Sequence, residues 1–213
     1  MKNTVIFDLD GTLLNTIEDL GTASNYALEK HRLPIHSLNS YNQMVGNGIR
    51  NLIKRAAPGV ADSEREDILK DFIWYYDRHC TDFTKPYPGI EQLLTHLSER
   101  DITMAVCSNK YQEAVSRIIK YFFPEVKFAA VYGERRGIPR KPDPTVLNKS
   151  IEEIGAEKSE TLMVGDSEVD IETARRAGID SVGVTWGFRS PAQVAEAHPT
   201  HLVSRPQDIL PLF

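Results

Sequence analysis

The stretch Thr4-Val5-Ile6-Phe7-Asp8-Leu9-Asp10-Gly11-Thr12-Leu13 decides the fold of this chain. Its first four residues are β-branched or aromatic, which is typical of a strand buried on both faces of a parallel sheet. The strand brings two carboxylates, Asp8 and Asp10, to its end, and Gly11 then allows an unusual turn. Such a turn can aim both carboxylates at one reacting atom, so that one attacks while the other transfers protons.

The same short apolar pattern recurs downstream, at 102–107, 128–132, 161–164 and 181–185. The intervening segments have apolar residues at helical spacing, at 90–99, 113–121 and 144–154. The last of these begins with Asp143 as a candidate N-cap and Pro144 at the first helical position, and it stops at Gly155. Strands that alternate with helices predict βαβ units and a parallel sheet.

Residues 15–81 differ from the rest, because they contain three long helical patterns and no convincing strand. The first helix is expected after Thr16, with Asp19 at the capping-box position, and the others are expected at about 40–57 and 63–79. We therefore predict an α/β protein. Its Rossmann-like parallel sheet core comprises residues 1–14 and 82–213, and an all-helical cap, residues 15–81, is inserted after the first strand.

The composition excludes several classes of protein. The chain has 213 residues, 41% of them hydrophobic, and no apolar run long enough to cross a bilayer, so a globular protein without membrane contact is expected. Its net charge is -5 with no basic stripe, which argues against a nucleic acid polymer as partner. No secretory signal pattern is present, so a cytoplasmic location is expected. Cys80 and Cys107 lack disulfide or zinc-ligand spacing.

The motif Asp8-Leu9-Asp10-Gly11-Thr12 resembles the first motif of the haloacid dehalogenase superfamily, Asp-x-Asp-x-Thr/Val. Three further motifs follow in the family's order, so the resemblance covers essentially the whole chain. It implies that Asp8 is a nucleophile that forms an aspartyl-phosphate and that Asp10 is the general acid and base. It also places Thr12 among the substrate-binding residues.

Ser108-Asn109, Lys141 and the segment Gly165-Asp166-Ser167-Glu168-Val169-Asp170 resemble the other three motifs. The resemblance implies that Ser108 and Asn109 bind the transferring phosphoryl group, while Lys141 neutralises the nucleophile and the phosphoryl oxygens. Such a cation is needed because a carboxylate that approaches a phosphate is repelled by about 4 kcal/mol per charge pair near the protein surface.

The metal ligands implied by the resemblance are the carboxylates of Asp8 and Asp166 and the main-chain carbonyl of Asp10. Oxygen ligands without His or Cys suit Mg²⁺, which is therefore the expected cofactor. Asp170 lies one helical turn after Asp166, and we expect it to support the metal site from the same helix face.

The cap contains Val45-Gly46-Asn47-Gly48-Ile49-Arg50, which resembles a loop of phosphoglycolate phosphatase-like members, as does Trp186-Gly187-Phe188-Arg189 in the core. Gly46 and Gly48 would let main-chain amides approach an anion, and Arg50 could bind an anionic group through two hydrogen bonds. The resemblance implies magnesium-dependent hydrolysis of a small phosphorylated metabolite, with phosphoglycolate as the leading substrate.

Two other functions stay open at this point. A sugar phosphomutase would use the same two aspartates and return the phosphoryl group to a second hydroxyl. A non-catalytic phosphate-binding module would retain the fold alone, but such a module would be expected to lose at least one of Asp8, Asp10, Lys141 and Asp166, and all four are present. The sequence does not indicate an oligomeric state.

Overall fold

The computed structural model describes all 213 residues of the chain. The strands are β1 (Thr4–Phe7), β2 (Leu14–Asn15), β3 (Lys85–Pro86), β4 (Thr103–Tyr111), β5 (Phe128–Glu134), β6 (Thr161–Gly165), β7 (Asp180–Val184) and β8 (His201–Val203). Six of them form one parallel sheet in the order β5-β4-β1-β6-β7-β8. The predicted α/β class with a Rossmann-like parallel sheet is confirmed.

Strand β1 sets the position of the polar motifs, because it pairs in register with a strand on each side. Phe7 lies opposite Val106 of β4 and Val164 of β6. All four residues of β1 are buried, as its β-branched and aromatic run predicts. The residues that follow these three positions therefore meet at the carboxyl edge of the sheet, where open α/β sheets bind their ligands.

Helices cover both faces of the sheet. They are α1 (Ile17–Lys30), α2 (Ile49–Ala56), α3 (Asp62–His79), α4 (Ile90–Glu99), α5 (Gln112–Phe122), α6 (Thr145–Glu153), α7 (Glu168–Ala177) and α8 (Pro191–Glu196), with 3-10 turns at Leu38–Gln43, Lys158–Glu160 and Pro206–Leu212. Because side chains alternate along a strand, Val5 and Phe7 pack with α4 and α5, whereas Ile6 packs with α6 and α7. Each face of β1 thus contributes to a separate apolar layer.

The helices α1 to α3, here called the cap, lie between β2 and β3 in the chain. These two short strands pair antiparallel, with Leu14 opposite Pro86 and Asn15 opposite Lys85. The two ends of the inserted segment are therefore joined by a ladder at the point where the cap leaves the core. The sequence did not predict this ladder, because each strand is only two residues long.

The prediction of one helix over 40–57 is wrong. A 3-10 helix covers Leu38–Gln43, and α2 starts only at Ile49. Between them, Gly46 has a φ of +104° and Gly48 a φ of +77°, a backbone conformation that other residues rarely adopt. The glycines thus interrupt the helix and form a loop, which is one of the parts of the cap that face the core.

The expected capping box at α1 is also absent. The Thr16 hydroxyl donates to Oδ1 of Asp10 at 2.7 Å, and it accepts no hydrogen bond from an amide of the helix. The Asp19 carboxylate is buried and accepts hydrogen bonds from the amides of Phe83 and Thr84, at 3.0 and 2.9 Å, and from the Thr84 hydroxyl at 2.6 Å. Asp19 therefore links the first cap helix to the segment that returns to the core.

Both cysteines are buried free thiols, as expected. Burial raises the pKa of Cys107 to about 12, which keeps this thiol protonated and unreactive. None of the helices combines the length and the apolar character that crossing a bilayer would require.

Candidate active site

Lys141 lies at the centre of the polar motifs. Its Nζ donates to three acceptors: Oδ1 of Asp8 at 2.9 Å, the carbonyl of Cys107 at 2.8 Å and Oδ1 of Asp170 at 2.6 Å. Burial lowers the pKa of Lys141, but the charges of Asp170 and Asp8 outweigh this effect and raise the pKa above its ordinary range. The buried ammonium is therefore charged, and each of its three N–H groups donates to an acceptor of the protein.

Asn109 fixes the loop that carries Lys141. Its Oδ1 accepts from the Lys141 amide at 2.9 Å, and its Nδ2 donates to the Lys141 carbonyl at 3.0 Å. A side-chain amide offers one acceptor and two donors, so a single residue can bind both main-chain groups of Lys141. The loop between β5 and α6 is thereby anchored to the end of β4.

Three carboxylates meet beside this lysine. One oxygen from each of Asp8, Asp166 and Asp170 lies within 4.8 Å of the others, and all three residues are buried. Burial raises the pKa of Asp8 to about 7, against the lowering effect of Lys141 and with a further rise from Asp170. Burial, followed by the charges of Asp170 and Asp8, also raises the pKa of Asp166 well above its ordinary value.

The donor set suits a hard divalent cation. Asp166 makes no ion pair, and its Oδ2 accepts from the Phe188 amide at 2.7 Å. One ammonium faces three buried carboxylates, which leaves excess negative charge in a region of low dielectric. The ligands are all oxygen atoms, as Mg²⁺ prefers. The residues present therefore fit a bound divalent metal ion.

Asp170 uses both of its oxygens within the protein. Oδ1 binds Lys141, while Oδ2 accepts from the Ser167 amide at 3.2 Å and from the Ser167 hydroxyl at 2.6 Å. This second pair of contacts is the capping box of α7. Asp170 thus joins the Lys141 ammonium to Ser167 at the start of α7.

Asp10 is not one of these three carboxylates, and it contacts Thr16, the residue that precedes the first cap helix. Its two oxygens accept from the Thr16 hydroxyl at 2.7 Å and from Nζ of Lys110 at 2.8 Å. Gly11 follows with a φ of +86°, and a Cβ atom there would lie 2.4 Å from Oδ2 of Asp166. The glycine lets the chain turn beside the predicted metal ligand, as the motif indicates.

A cavity of about 30 Å³ lies between the core and the cap, lined by Asp8, Asp10, Leu20, Val45, Gly46, Gly48, Ile49, Leu52, Ser108, Asn109 and Lys110. The predicted residues Asp8, Asp10, Ser108 and Asn109 are thus brought together with the two cap glycines. The cavity has two carboxylates and one ammonium at its base and apolar side chains from the cap above them.

Core side chains bind the main chain of the cap loop. Nδ2 of Asn109 donates to the Gly46 carbonyl, and Nη1 of Arg140 donates to the Asn47 carbonyl, each at 3.0 Å. The guanidinium of Arg189 is buried and donates to the carbonyls of Asn42 and Val45, the latter at 3.0 Å. These contacts keep the loop over the sheet edge.

Two predicted substrate-binding residues lie elsewhere. Arg50 is in the first turn of α2, its side chain is 57% exposed, and its guanidinium pairs with Glu66 of α3 outside the lining of the cavity. The expectation that Arg50 lines the site is therefore not met. Thr12 is fully buried outside the cavity lining, where its carbonyl accepts from Nε1 of Trp186 at 3.0 Å.

Three polar residues at the site were not predicted: Thr16, Lys110 and Arg140. Lys110 directly follows Ser108-Asn109, so its position in the chain was a usable signal. Arg140 directly precedes Lys141, and Thr16 lies just after the first motif. The role of Arg189, left open by the sequence, is contact with the cap loop.

Comparison with known proteins agrees with this geometry. The family model described as haloacid dehalogenase-like hydrolase matches residues 5–184. A phosphoglycolate phosphatase of Mesorhizobium japonicum is 33% identical over 204 residues, which is 94% of this chain and 89% of that protein. A phosphoglycolate phosphatase of Aquifex aeolicus is 30% identical over 209 residues, covering 98% of this chain and 95% of that protein.

A crystal structure from Lactobacillus delbrueckii subsp. bulgaricus is similar over 98% of this chain and 97% of that chain, with a TM-score of 0.92 and 32% identity. The agreement extends over the core and the cap together. The chain therefore belongs to the haloacid dehalogenase-like hydrolase family and is a phosphatase.

Proposed function

We propose that this phosphatase hydrolyses a small phosphate monoester through a phosphorylated aspartate at Asp8, with phosphoglycolate as the leading substrate. The observation that carries the proposal is the position of Asp8, a buried carboxylate at the cavity, 2.9 Å from the Lys141 ammonium and in the same lining as Asp10. A nucleophile, a cation and a second carboxylate are the groups that phosphoryl transfer requires.

In the first step, an Asp8 oxygen forms a bond to phosphorus while the bond from phosphorus to the ester oxygen breaks. Asp10 gives its proton to the departing oxygen, which leaves as an alcohol. Lys141 offsets the negative charge of Asp8 and of the phosphoryl oxygens, and Ser108 binds the transferred group. In the second step, Asp10 takes a proton from water as the water oxygen attacks phosphorus, which releases inorganic phosphate and restores Asp8.

Asp8, Asp166 and the main-chain carbonyl of Asp10 would hold a magnesium ion, and Asp170 would support them through Lys141. The ion would neutralise phosphoryl charge that Lys141 alone does not balance. The excess negative charge of the three buried carboxylates supports this part of the proposal.

The covered position of the cavity and the names of the relatives support a small substrate. Leu20, Ile49 and Leu52 of the cap lie in the same lining as the two carboxylates, so the space beside the carboxylates is bounded by the cap. The curated relatives described above are phosphoglycolate phosphatases at 33% and 30% identity. Phosphoglycolate has a two-carbon leaving group, so it satisfies both constraints.

Phosphate release from a panel of esters tests the proposal. The panel contains phosphoglycolate, sugar phosphates, nucleoside monophosphates and pyrophosphate, each with magnesium and with excess chelator. We expect magnesium-dependent release that is fastest with phosphoglycolate. Equal rates across the panel would contradict the substrate, and isomerisation of a sugar phosphate without phosphate release would contradict hydrolysis.

A further inference from the structure

The site contains two buried lysines whose donors are used differently. Lys141 places all three N–H groups of its ammonium on acceptors of the protein. The Lys110 side chain is 2% exposed, yet its Nζ has one acceptor, Oδ2 of Asp10 at 2.8 Å. An ammonium has three donors, so Lys110 retains hydrogen-bonding capacity that no group of the protein uses.

The groups around the Lys110 ammonium are a buried aromatic ring and the cavity. The ring of Tyr76, a fully buried residue of α3, lies on one side with its centroid 4.8 Å from Nζ. The aromatic face stabilises the charge without accepting a conventional hydrogen bond. Lys110 also lines the cavity, to which the cap contributes the side chains of Leu20, Val45, Ile49 and Leu52. None of these side chains offers an acceptor.

A buried, charged donor that lacks an acceptor is unfavourable, because its hydrogen bond to water is lost on burial. The cavity is where a leaving group must lie if Asp10 is to protonate its ester oxygen. A ligand with an anionic group beside that oxygen would supply a further acceptor for the Lys110 ammonium.

We propose that Lys110 determines specificity by binding a carboxylate on the leaving group. This inference rests on the proposed function, because it assigns Asp10 to the ester oxygen. Lys110 is 2.8 Å from Asp10, so the carboxylate it binds must be close to the ester oxygen in the substrate. The substrate class is therefore the phosphate esters of short 2-hydroxy acids. An ester whose anionic group is several bonds farther away does not satisfy this geometry.

The experiment compares phosphoglycolate with ethyl phosphate, which has a leaving group of similar length without the carboxylate. Both are assayed for kcat/KM with the wild-type protein, Lys110→Met, Lys110→Arg and the control Lys120→Met, a change at an exposed lysine of α5. We expect the wild-type protein to prefer phosphoglycolate. Lys110→Met should lower that preference by about tenfold or more, since a charged hydrogen bond is lost. Lys110→Arg should retain part of it, and Lys120→Met all of it.

A residue that only positions Asp10 would give a different result, because its loss would slow both esters by the same factor. An unchanged preference in Lys110→Met would therefore overturn the inference, as would a wild-type protein that does not distinguish the two esters. Release from neither ester by the wild-type protein would overturn the proposed function itself. If Lys110→Met does not fold, the substitute experiment uses Lys110→Gln. It measures how much glycolate raises the thermal unfolding temperature of the wild-type protein and of this variant. The inference predicts glycolate protection for the wild-type protein and none for Lys110→Gln, and equal protection of the two would contradict it.

Discussion

The ammonium of Lys141 lies 2.6 Å from the carboxylate of Asp170, closer than its 2.9 Å contact with Asp8. Asp170 is itself held by the amide and hydroxyl of Ser167 at the start of α7. The Lys141 ammonium, which contacts Asp8, is thus oriented by Asp170, a residue in the first turn of α7. Its position depends on a residue that does not line the cavity.

We predict that Asp170→Asn lowers the rate of phosphate release by about 10- to 100-fold. The substitution removes the negative charge that pairs with Lys141, so this lysine is held less firmly beside Asp8. Initial rates with saturating magnesium measure the effect. Asp67→Asn, at an exposed carboxylate of the cap, serves as the control and should retain the wild-type rate. An Asp170→Asn protein with the rate of the control would show that Lys141 does not need this partner.

The stability of the metal-free protein should fall as the pH rises from about 4 through about 7. The pKa of Asp8 is raised from 3.8 to about 7 in the folded state, and that of Asp166 is raised as well. The folded state therefore binds more protons than the unfolded state in this window, and the stabilisation is lost above the folded pKa. Chemical denaturation in the presence of chelator, repeated at each pH unit, measures how the free energy of unfolding depends on pH.

The Asp8→Asn protein provides the comparison, since it removes one of the titrating groups and should have a flatter pH dependence. Magnesium should abolish the fall for the wild-type protein, because a bound cation favours the ionised carboxylates. Stability that rises across this range in chelator, or a slope that Asp8→Asn leaves unchanged, would contradict the account.

Asp19 should matter for stability although it lies outside the active site. Asp19→Ala would leave the amides of Phe83 and Thr84 and the buried Thr84 hydroxyl without their acceptor, so the free energy of unfolding should fall by about 3 kcal/mol. Urea denaturation measures this change. Asp82→Ala, at an exposed carboxylate, should change it by less than about 0.5 kcal/mol. Equal effects of the two substitutions would refute the role given to Asp19.

Arg189 should hold the cap loop against the core. Lysine keeps the charge but not the planar set of donors that bind the carbonyls of Asn42 and Val45. In Arg189→Lys, the amides of Met44 and Val45, which donate to the Tyr41 carbonyl, should therefore exchange with deuterium about tenfold faster or more, measured by mass spectrometry. Arg175→Lys, on the exposed face of α7, is the matched control. Unchanged exchange in Arg189→Lys would contradict the role of these contacts.

Much of the core was predictable from the sequence, since β1 is a short buried run that ends in acidic residues. The carboxyl ends of parallel strands share an edge, so the meeting of Asp8, Ser108 and Asp166 follows from strand order alone. The edge strand β8 was not predicted, because its three residues are too short for a periodicity.

The cap loop was predicted less well, for two physical reasons. The apolar residues around Gly46 and Gly48 have helical spacing, which favours one continuous helix. In the structure, the core side chains Asn109 and Arg189 bind the carbonyls of Gly46 and Val45, and the backbone forms a loop there instead. Arg50 was expected at the site, yet its partner Glu66 belongs to another helix, and a single sequence does not show that packing. Tertiary contacts, rather than local propensity, decided both outcomes.

The most direct test of the central claim is to find where the phosphoryl group resides during turnover. The wild-type protein and Asp8→Asn are mixed with a radiolabelled phosphate ester and magnesium, quenched in acid and digested, and the labelled peptide is identified. The account predicts a hydroxylamine-sensitive label on the peptide that contains Asp8, and a folded Asp8→Asn protein with neither label nor phosphate release. Label on another residue, or phosphate release by folded Asp8→Asn at a rate near that of the wild-type protein, would contradict it.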